Sequence, residues 1–202
     1  MDSRDERAIY PLRMHPVEHR GLRELYAMTR QLRDHWRRLA AQLGADAPEQ
    51  AQLLRDGSQL ARALLAELSD VTAQRGIFGR PTAQGLGVQL ARVHSGALDT
   101  ALEVHQALRF AVLDVVHVVT LLEFLAQVAE HDRDPQLVAF LAGWAAQLRD
   151  QEQALRATVL ALAADPDLAV RASVPSAAGR IGHGAANLIG SFGEWFDRRA
   201  AR

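Results

Sequence analysis

The sequence predicts an all-α fold: a bundle of four long helices followed by a C-terminal amphipathic helix. Several segments space their apolar residues three and four positions apart, which is the helical period. The 202-residue chain is rich in Ala, Leu, Arg and Gln, and aromatic residues make up only 5% of it. Residues 98–130 are apolar on nearly all sides, so we expect them to form a central helix against which the other helices pack.

A first helix is predicted to begin at Pro16 and to end at Gly44, because proline suits the first helical turn and glycine the end. The outer side of this helix is rich in arginine. The simpler interpretation is a solvated face. Phosphate or nucleic-acid binding is the alternative, but no aromatic residues interleave to support it. The predicted buried face is Leu22, Leu25, Thr29, Leu32, Trp36, Leu39 and Leu43, and the outer arginines are Arg23, Arg30, Arg33, Arg37 and Arg38.

A second helix is predicted to start after a very short connection, at Asp46 and Pro48, and to pair with the first as a hairpin. Gly57 and Ser58 lower the helix propensity of its middle, which indicates either a closely packed helix or the remnant of a lost site. Its predicted buried residues are Leu53, Leu54, Leu60, Leu64, Leu68 and Val71. The glycine-rich residues 74–96 that follow predict a long crossover with a short helical piece at residues 88–93.

Three ionisable residues of the central helix, Glu103, Asp114 and His117, fall near one angular stripe and are the candidate site. Buried ionisable groups need partners, and the simpler interpretation is that Asp114 and His117 are satisfied by each other, by Arg109 or by neighbouring helices. The alternative is that the three residues bind a metal ion. Carboxylates of facing helices, such as Glu67 or Asp70, would then converge on His117.

A fourth helix is predicted to have Asp134 as its N-cap and Pro135 as its first residue, and to run to about Ala164. Its predicted buried residues are Leu137, Leu141, Trp144, Leu148, Gln151, Leu155 and Leu162. The three connections are therefore short, long and short. Two hairpins joined by one crossover are typical of ferritin-like bundles rather than of simple up-down bundles.

Two short motifs carry a resemblance to a known family. LYAMTRQL at residues 25–32, and the central helix followed by HDRDPQL at residues 131–137, resemble the bacterial stress-associated ferritin-like branch of the YciF type. Over residues 20–160 the resemblance implies a ferritin-like fold, but most of the family's metal ligands are missing. The family's ligand positions fall on Thr29, near Asp56 and Gly57, on Asp114 and His117, and near Ala146 or Gln147.

The Glu-x-x-His motif of di-iron bundles is absent, and Asp114-Val-Val-His117 is its nearest relative. Two cations need several anionic ligands, so this pair alone should not hold a dinuclear site.

Composition excludes several other classes of protein. With a net charge of −1, no overall field draws the chain to nucleic acid or to an anionic membrane. The absence of cysteine excludes disulfides and thiolate metal sites. The N-terminal residues lack the apolar region of a secretory signal, and ionisable residues interrupt the apolar residues 110–129. We therefore expect a cytoplasmic protein.

The C-terminal residues 176–202 differ from the rest in being glycine-rich and aromatic on one helical side. This helix is expected to fold back on the bundle, to dock on a partner or second subunit, or to lie on a membrane, the last option being weakened by its few basic residues. Residues 188–192, LIGSF, also resemble the short tags by which encapsulin shells hold ferritin-like cargo. The predicted partner-binding residues are Leu188, Ile189, Phe192, Trp195 and Phe196.

The sequence thus predicts an N-terminal arm at residues 1–15, a bundle at 16–165 and the C-terminal extension. The expected function is non-catalytic and cofactor-free: interaction with a protein partner or self-association as a homo-oligomer, with a link to stress from the resemblance. One alternative is a ferritin-like oxidoreductase or carrier of iron or another divalent metal, using Glu103, Asp114 and His117. Another is a bundle targeted to a shell or membrane by its C-terminal helix.

Overall fold

A computed structural model describes residues 15–44, 46–77 and 102–173 of the chain. These ranges contain no strand, and their only β-type pairing is an isolated bridge between Glu103 and Ala172. The predicted all-α class is therefore confirmed. The long helices are α1 (Pro16–Leu43), α2 (Pro48–Gln74), α3 (Val104–His131) and α4 (Pro135–Ala161), followed by a 3₁₀ turn (Leu162–Ala164) and the short α5 (Pro166–Ala169).

The four long helices pack as two antiparallel hairpins laid against each other. In the first hairpin, the Ser58 hydroxyl of α2 donates a hydrogen bond to the Arg33 carbonyl of α1 at 2.9 Å. In the second, α3 ends at His131 and Arg133 adopts a φ of 59°, which lets the chain reverse sharply into α4. Across the hairpins, α1 contacts α3 and α2 contacts α4.

The two ends of the bundle fix the direction of the connection between the hairpins. At one end, Arg75 just after α2 contacts Glu18 in the first turn of α1 and Asp134 before α4. At the other end, the N–H of Val104 in α3 donates to the carbonyl of Arg171 at 2.9 Å. The chain therefore leaves α2 at one end and enters α3 at the opposite end, and each helix is about 40 Å long.

The predicted helical faces form the core. All seven predicted core residues of α1, from Leu22 to Leu43, are buried, as are six of the seven predicted for the region of α4, Gln151 being intermediate. In α2 the residues Leu54, Leu64 and Leu68 are fully buried, whereas its other three predicted core residues are partly buried.

The predicted start of the central helix was wrong. Leu102 and Glu103 are not helical, and α3 begins at Val104. The reason lies in two interactions, one between residues distant in sequence and one local. The backbone of Leu102 is paired with Ser173, whose N–H donates to its carbonyl at 2.9 Å, and the Gln106 side chain accepts a hydrogen bond from the Glu103 N–H at 3.1 Å, as in a capping box. The predicted starts at Pro16, Pro48 and Pro135 are confirmed.

Gly57 is the point of closest approach between α1 and α2. A Cβ atom at residue 57 would lie 2.0 Å from Cζ3 of Trp36, and Trp36 is completely buried. Gln151 of α4 also approaches this point, and its side-chain amide donates to the Leu53 carbonyl at 2.8 Å. The low helix propensity of Gly57 is thus explained by the packing of an indole ring against bare backbone.

We expect Gly57→Ala to lower the free energy of unfolding by about 1–3 kcal/mol, because the large, rigid Trp36 ring must move from its packed position. Gly143→Ala is the matched control. It lies in the exposed middle of α4 with nothing within 4 Å of the new Cβ, so it should stabilise the chain by about 0.5–1 kcal/mol. Urea unfolding followed by circular dichroism measures both, and a Gly57→Ala variant as stable as the wild type would contradict this packing.

Candidate functional site

Asp114, the most buried of the three candidate residues, pairs with a histidine of another helix. Its Oδ2 atom makes a short contact with Nδ1 of His35 on α1. The two side chains are 7% and 1% exposed, so the pair lies inside the bundle between α1 and α3. This pair satisfies a buried polar group across two helices and fixes how far one helix is shifted along the other.

His35 is the functional-site candidate that the sequence analysis missed. It lies between Leu32 and Leu39 on the predicted buried face of α1, with spacings of three and four. A histidine at the helical period among core leucines is a signal for a buried polar partner, and Asp114 on the central helix was the obvious unpaired acid.

His117 is not part of the pair that Asp114 forms with His35. Its side chain is 41% exposed, and its Nε2 atom lies 3.8 Å from Oε1 of Glu24 on α1, which is 47% exposed. That distance is too long for a hydrogen bond. The rest of the imidazole is solvent-exposed, but Nε2 itself is shielded from solvent and has no hydrogen-bond partner among the described residues. The contact with Glu24 is therefore a long one, which contributes little to stability.

Glu103 lies at the start of α3, where it precedes the first helical residue. Its carboxylate is 2.7 Å from Nε2 of His105, and its N–H is bonded to Gln106. Eleven residues of helix separate it from Asp114, which corresponds to about 16 Å along the axis. Glu103 is thus occupied with the end of the helix and lies far from the Asp114–His35 pair.

The candidate metal ligands are not brought together. Among the residues that the structure describes, no group of three or more His, Asp or Glu side chains could hold a metal ion. Glu67, considered as a ligand from a facing helix, instead accepts a hydrogen bond from Nε1 of Trp144 at 2.9 Å. Thr29, at the family's first ligand position, is completely buried, and its hydroxyl has no hydrogen-bond partner in the described part of the chain.

A partly buried ionic cluster lies at the end of the bundle opposite Glu103. Arg75 contacts Asp134 through Nη2, and its Nε atom lies 3.6 Å from Oε1 of Glu18. Burial raises the pKa of the Glu18 carboxyl, although Arg75 opposes this. Burial also acts to raise the pKa of Asp134, but hydrogen bonds from the Leu137 N–H and Arg75 outweigh it and hold that pKa below its usual value. The cluster connects the ends of α1, α2 and α4, and its role is therefore structural.

An apolar groove lies on the outer surface between α3 and α4, and we call it the α3–α4 groove. Its volume is about 420 Å³, and its apolar lining includes Phe110, Leu113, Val159 and Leu160. Leu113 is 58% exposed and Leu160 70% exposed, and because both line the same groove they form part of one exposed apolar patch. Arg109 and Arg156 form part of a polar edge around this apolar centre, an arrangement that is typical of interaction surfaces.

The exposed face of α3 continues beyond the groove. Phe124, eleven residues after Leu113, lies on nearly the same side of the helix and is 51% exposed. By length and apolar content α3 could cross a membrane, with a mean hydropathy of 1.8 over its most apolar 18 residues, half of which are buried. A core helix passes the same test, so this finding is weak evidence for a membrane.

Comparison with known proteins gives no relative: no family model, no curated protein and no solved structure matches this chain. The predicted partner-binding residues Leu188, Ile189, Phe192, Trp195 and Phe196 lie outside the described residues, as do the N-terminal residues 1–14 and the predicted helical piece at 88–93.

Breaking the buried pair from one side should be costly. We expect His35→Leu and Asp114→Val each to lower the free energy of unfolding by about 3 kcal/mol or more, because each leaves a polar partner buried. The double variant should lose clearly less stability than the sum of the two single losses, since neither polar side chain is then buried without its partner. Urea unfolding of all four proteins gives the coupling energy.

His117→Ala is the control for this comparison of the single and double variants. Because the side chain is half-exposed and only loosely paired, its loss should change stability by no more than about 0.5 kcal/mol. Additive effects of His35→Leu and Asp114→Val would show that the two residues are not energetically coupled.

Proposed function

We propose that this chain is a ferritin-like four-helix bundle without a metal-dependent activity, and that it acts by associating with proteins, in the first place with a second copy of itself. The observation that carries this proposal is the α3–α4 groove, where two leucines stand exposed within a polar edge. A further contact through Leu188, Ile189, Phe192, Trp195 and Phe196 remains part of the proposal.

The ferritin-like part of the proposal is supported by the order and direction of the helices. α1 pairs with α2 and α3 pairs with α4, and each helix also contacts one member of the other hairpin, α1 with α3 and α2 with α4. The chain passes from α2 to α3 between opposite ends of the bundle, as a long crossover connection requires.

The proposal that the chain has no metal-dependent activity is supported by the side chains with which the candidate carboxylates are paired. Asp114 is paired with His35, Glu67 with Trp144, and Glu103 with His105. These contacts stabilise helix ends and helix pairs. Such residues are held in place by packing, and a dinuclear site would require several of these carboxylates to face one another instead.

Self-association is supported by the chemistry of the exposed face. Burying Leu113, Leu160 and Phe124 would remove a large apolar area from water, and this is the main favourable term in protein association. The same patch on two copies of one chain can meet about a twofold axis, so one apolar groove is sufficient for a dimer.

Introducing charge into the groove should break this association. We expect Leu113→Glu combined with Leu160→Glu to raise the dimer dissociation constant by at least about tenfold, because two carboxylates would have to be desolvated at the interface. Sedimentation velocity over a concentration series up to roughly 100 µM measures the constant. Val17→Glu, which changes a partly exposed apolar residue at the opposite end of the bundle, is the control and should leave it unchanged.

A wild-type chain that stays monomeric over this range would contradict self-association, as would a groove variant that associates like the wild type. A chain ending at residue 175 separates the two proposed contacts. It should still dimerise if the groove contacts a second copy directly, and it should be monomeric if the C-terminal segment supplies the interface.

The absence of a metal activity has its own test. Protein purified without chelator and then exposed to ferrous iron should retain well below one equivalent of tightly bound iron per chain, because neither Asp114 nor His117 belongs to a group of three or more His, Asp or Glu side chains among the described residues. Elemental analysis after gel filtration gives the ratio. Stoichiometric iron that is lost in both Asp114→Asn and His117→Ala would instead establish the metal-binding alternative.

A further inference from the structure

We infer that the groove between α1 and α2, which we call the arginine groove, is a binding site for a small ligand with adjacent phosphate groups, of the size of pyrophosphate or a short polyphosphate. It lies on the hairpin opposite the α3–α4 groove and is independent of it. The four arginines of the groove are Arg33 and Arg37 of α1 and Arg55 and Arg62 of α2.

The helical spacing places these four arginines around one groove. Arg33 and Arg37 are one turn apart on α1, and Arg55 and Arg62 are two turns apart on α2. Ser58 and Gln59 lie between the α2 pair and complete the lining. Two antiparallel helices thus present guanidinium groups from both sides of a concave space of about 390 Å³.

The groove has an excess of positive charge. Asp34 is the carboxylate next to it, and it is shared between Arg33 at 2.9 Å and Arg37 at 3.5 Å. Arg55 is bonded to the neutral side chain of Gln52 at 3.0 Å, and Arg62 has no ion pair within the described ranges. The nearby Asp56 accepts a hydrogen bond from Gln52 and does not line the groove.

Arg33 and Arg37, one turn apart on α1, repel each other, and the Asp34 carboxylate that both contact offsets only part of this repulsion. In a chain whose net charge is −1, four cations around one groove are a local concentration that the composition as a whole does not require. A bound polyanion would remove the repulsion. Guanidinium groups are suited to this role, since their planar N–H forks match two phosphate oxygens at a time.

The size and lining of the groove select the class of anion. Its volume lies at the small end of the range for small-molecule sites. Among the described residues no aromatic side chain lines it, and Trp36 of the same helix is completely buried, so these residues offer no aromatic surface on which a nucleobase could stack. The features favour a compact ligand made of phosphates over a nucleic acid.

Isothermal titration with sodium pyrophosphate tests the proposal, first at low ionic strength and then near 0.15 M salt. Orthophosphate and tripolyphosphate are titrated for comparison. We expect Arg37→Gln combined with Arg62→Gln to weaken pyrophosphate binding by at least about tenfold. The matched control, Arg20→Gln combined with Arg171→Gln, removes the same charge from two exposed residues outside the groove and should weaken it by less than about twofold.

Thermal unfolding of the same proteins gives a second measurement of pyrophosphate binding. Pyrophosphate should raise the melting temperature of the wild type and of the control but not of the groove variant, because only a ligand bound to the folded state stabilises it. Without ligand, the groove variant should melt close to the wild type, because the Arg37–Asp34 contact that it loses is largely solvent-exposed.

Three results would overturn the proposal. One is the absence of both heat and thermal shift when pyrophosphate is added to the wild type. Another is an equal loss of binding in the groove and control variants. That result would mean that the positive charge of the surface attracts anions in general and that the arginine groove is not a specific site. The third is binding of a short single-stranded DNA that depends on the groove while pyrophosphate does not bind.

Discussion

The contact between Trp36 and the bare backbone at Gly57 sets the geometry on which the rest of the bundle depends. Any side chain at residue 57 would collide with the indole ring, so α1 and α2 can approach this closely only through glycine. Gln151 of α4 meets the same point and reaches the Leu53 carbonyl. Three helices are therefore positioned by one close approach, and the arginine groove lies on the outer side of the hairpin that this contact brings together.

Polar contacts between the helices specify how far the helices are shifted along one another. Leucine faces can slide along one another at little cost, whereas the His35–Asp114 pair has one favourable register between α1 and α3. At the far end, the cluster of Glu18, Arg75 and Asp134 gives the other three-helix junction a similarly specific geometry. A buried polar pair within the bundle and a partly buried ionic cluster at one end thus restrict how the hairpins align.

Local signals made much of the fold predictable. Proline at the first turn marked three helix starts, and the apolar period identified the buried faces of α1 and α4. The start of α3 was missed because the pairing of Leu102 with Ser173 joins residues 71 positions apart, which no local pattern reveals. His35 does carry a local signal, its position at the helical period among core leucines, but only the packing of α1 against α3 shows that its partner is Asp114. Surfaces such as the α3–α4 groove depend on which residues of two helices come together, so only the packed chain shows them.

The two grooves lie on different hairpins, and this placement has a consequence for any assembly. A dimer formed through α3 and α4 would leave both arginine grooves uncovered, facing away from the interface. Such a dimer would be bivalent. A long polyanion able to reach both sites would then be held by two attachments, and its avidity would increase with assembly although no contact within either groove had changed.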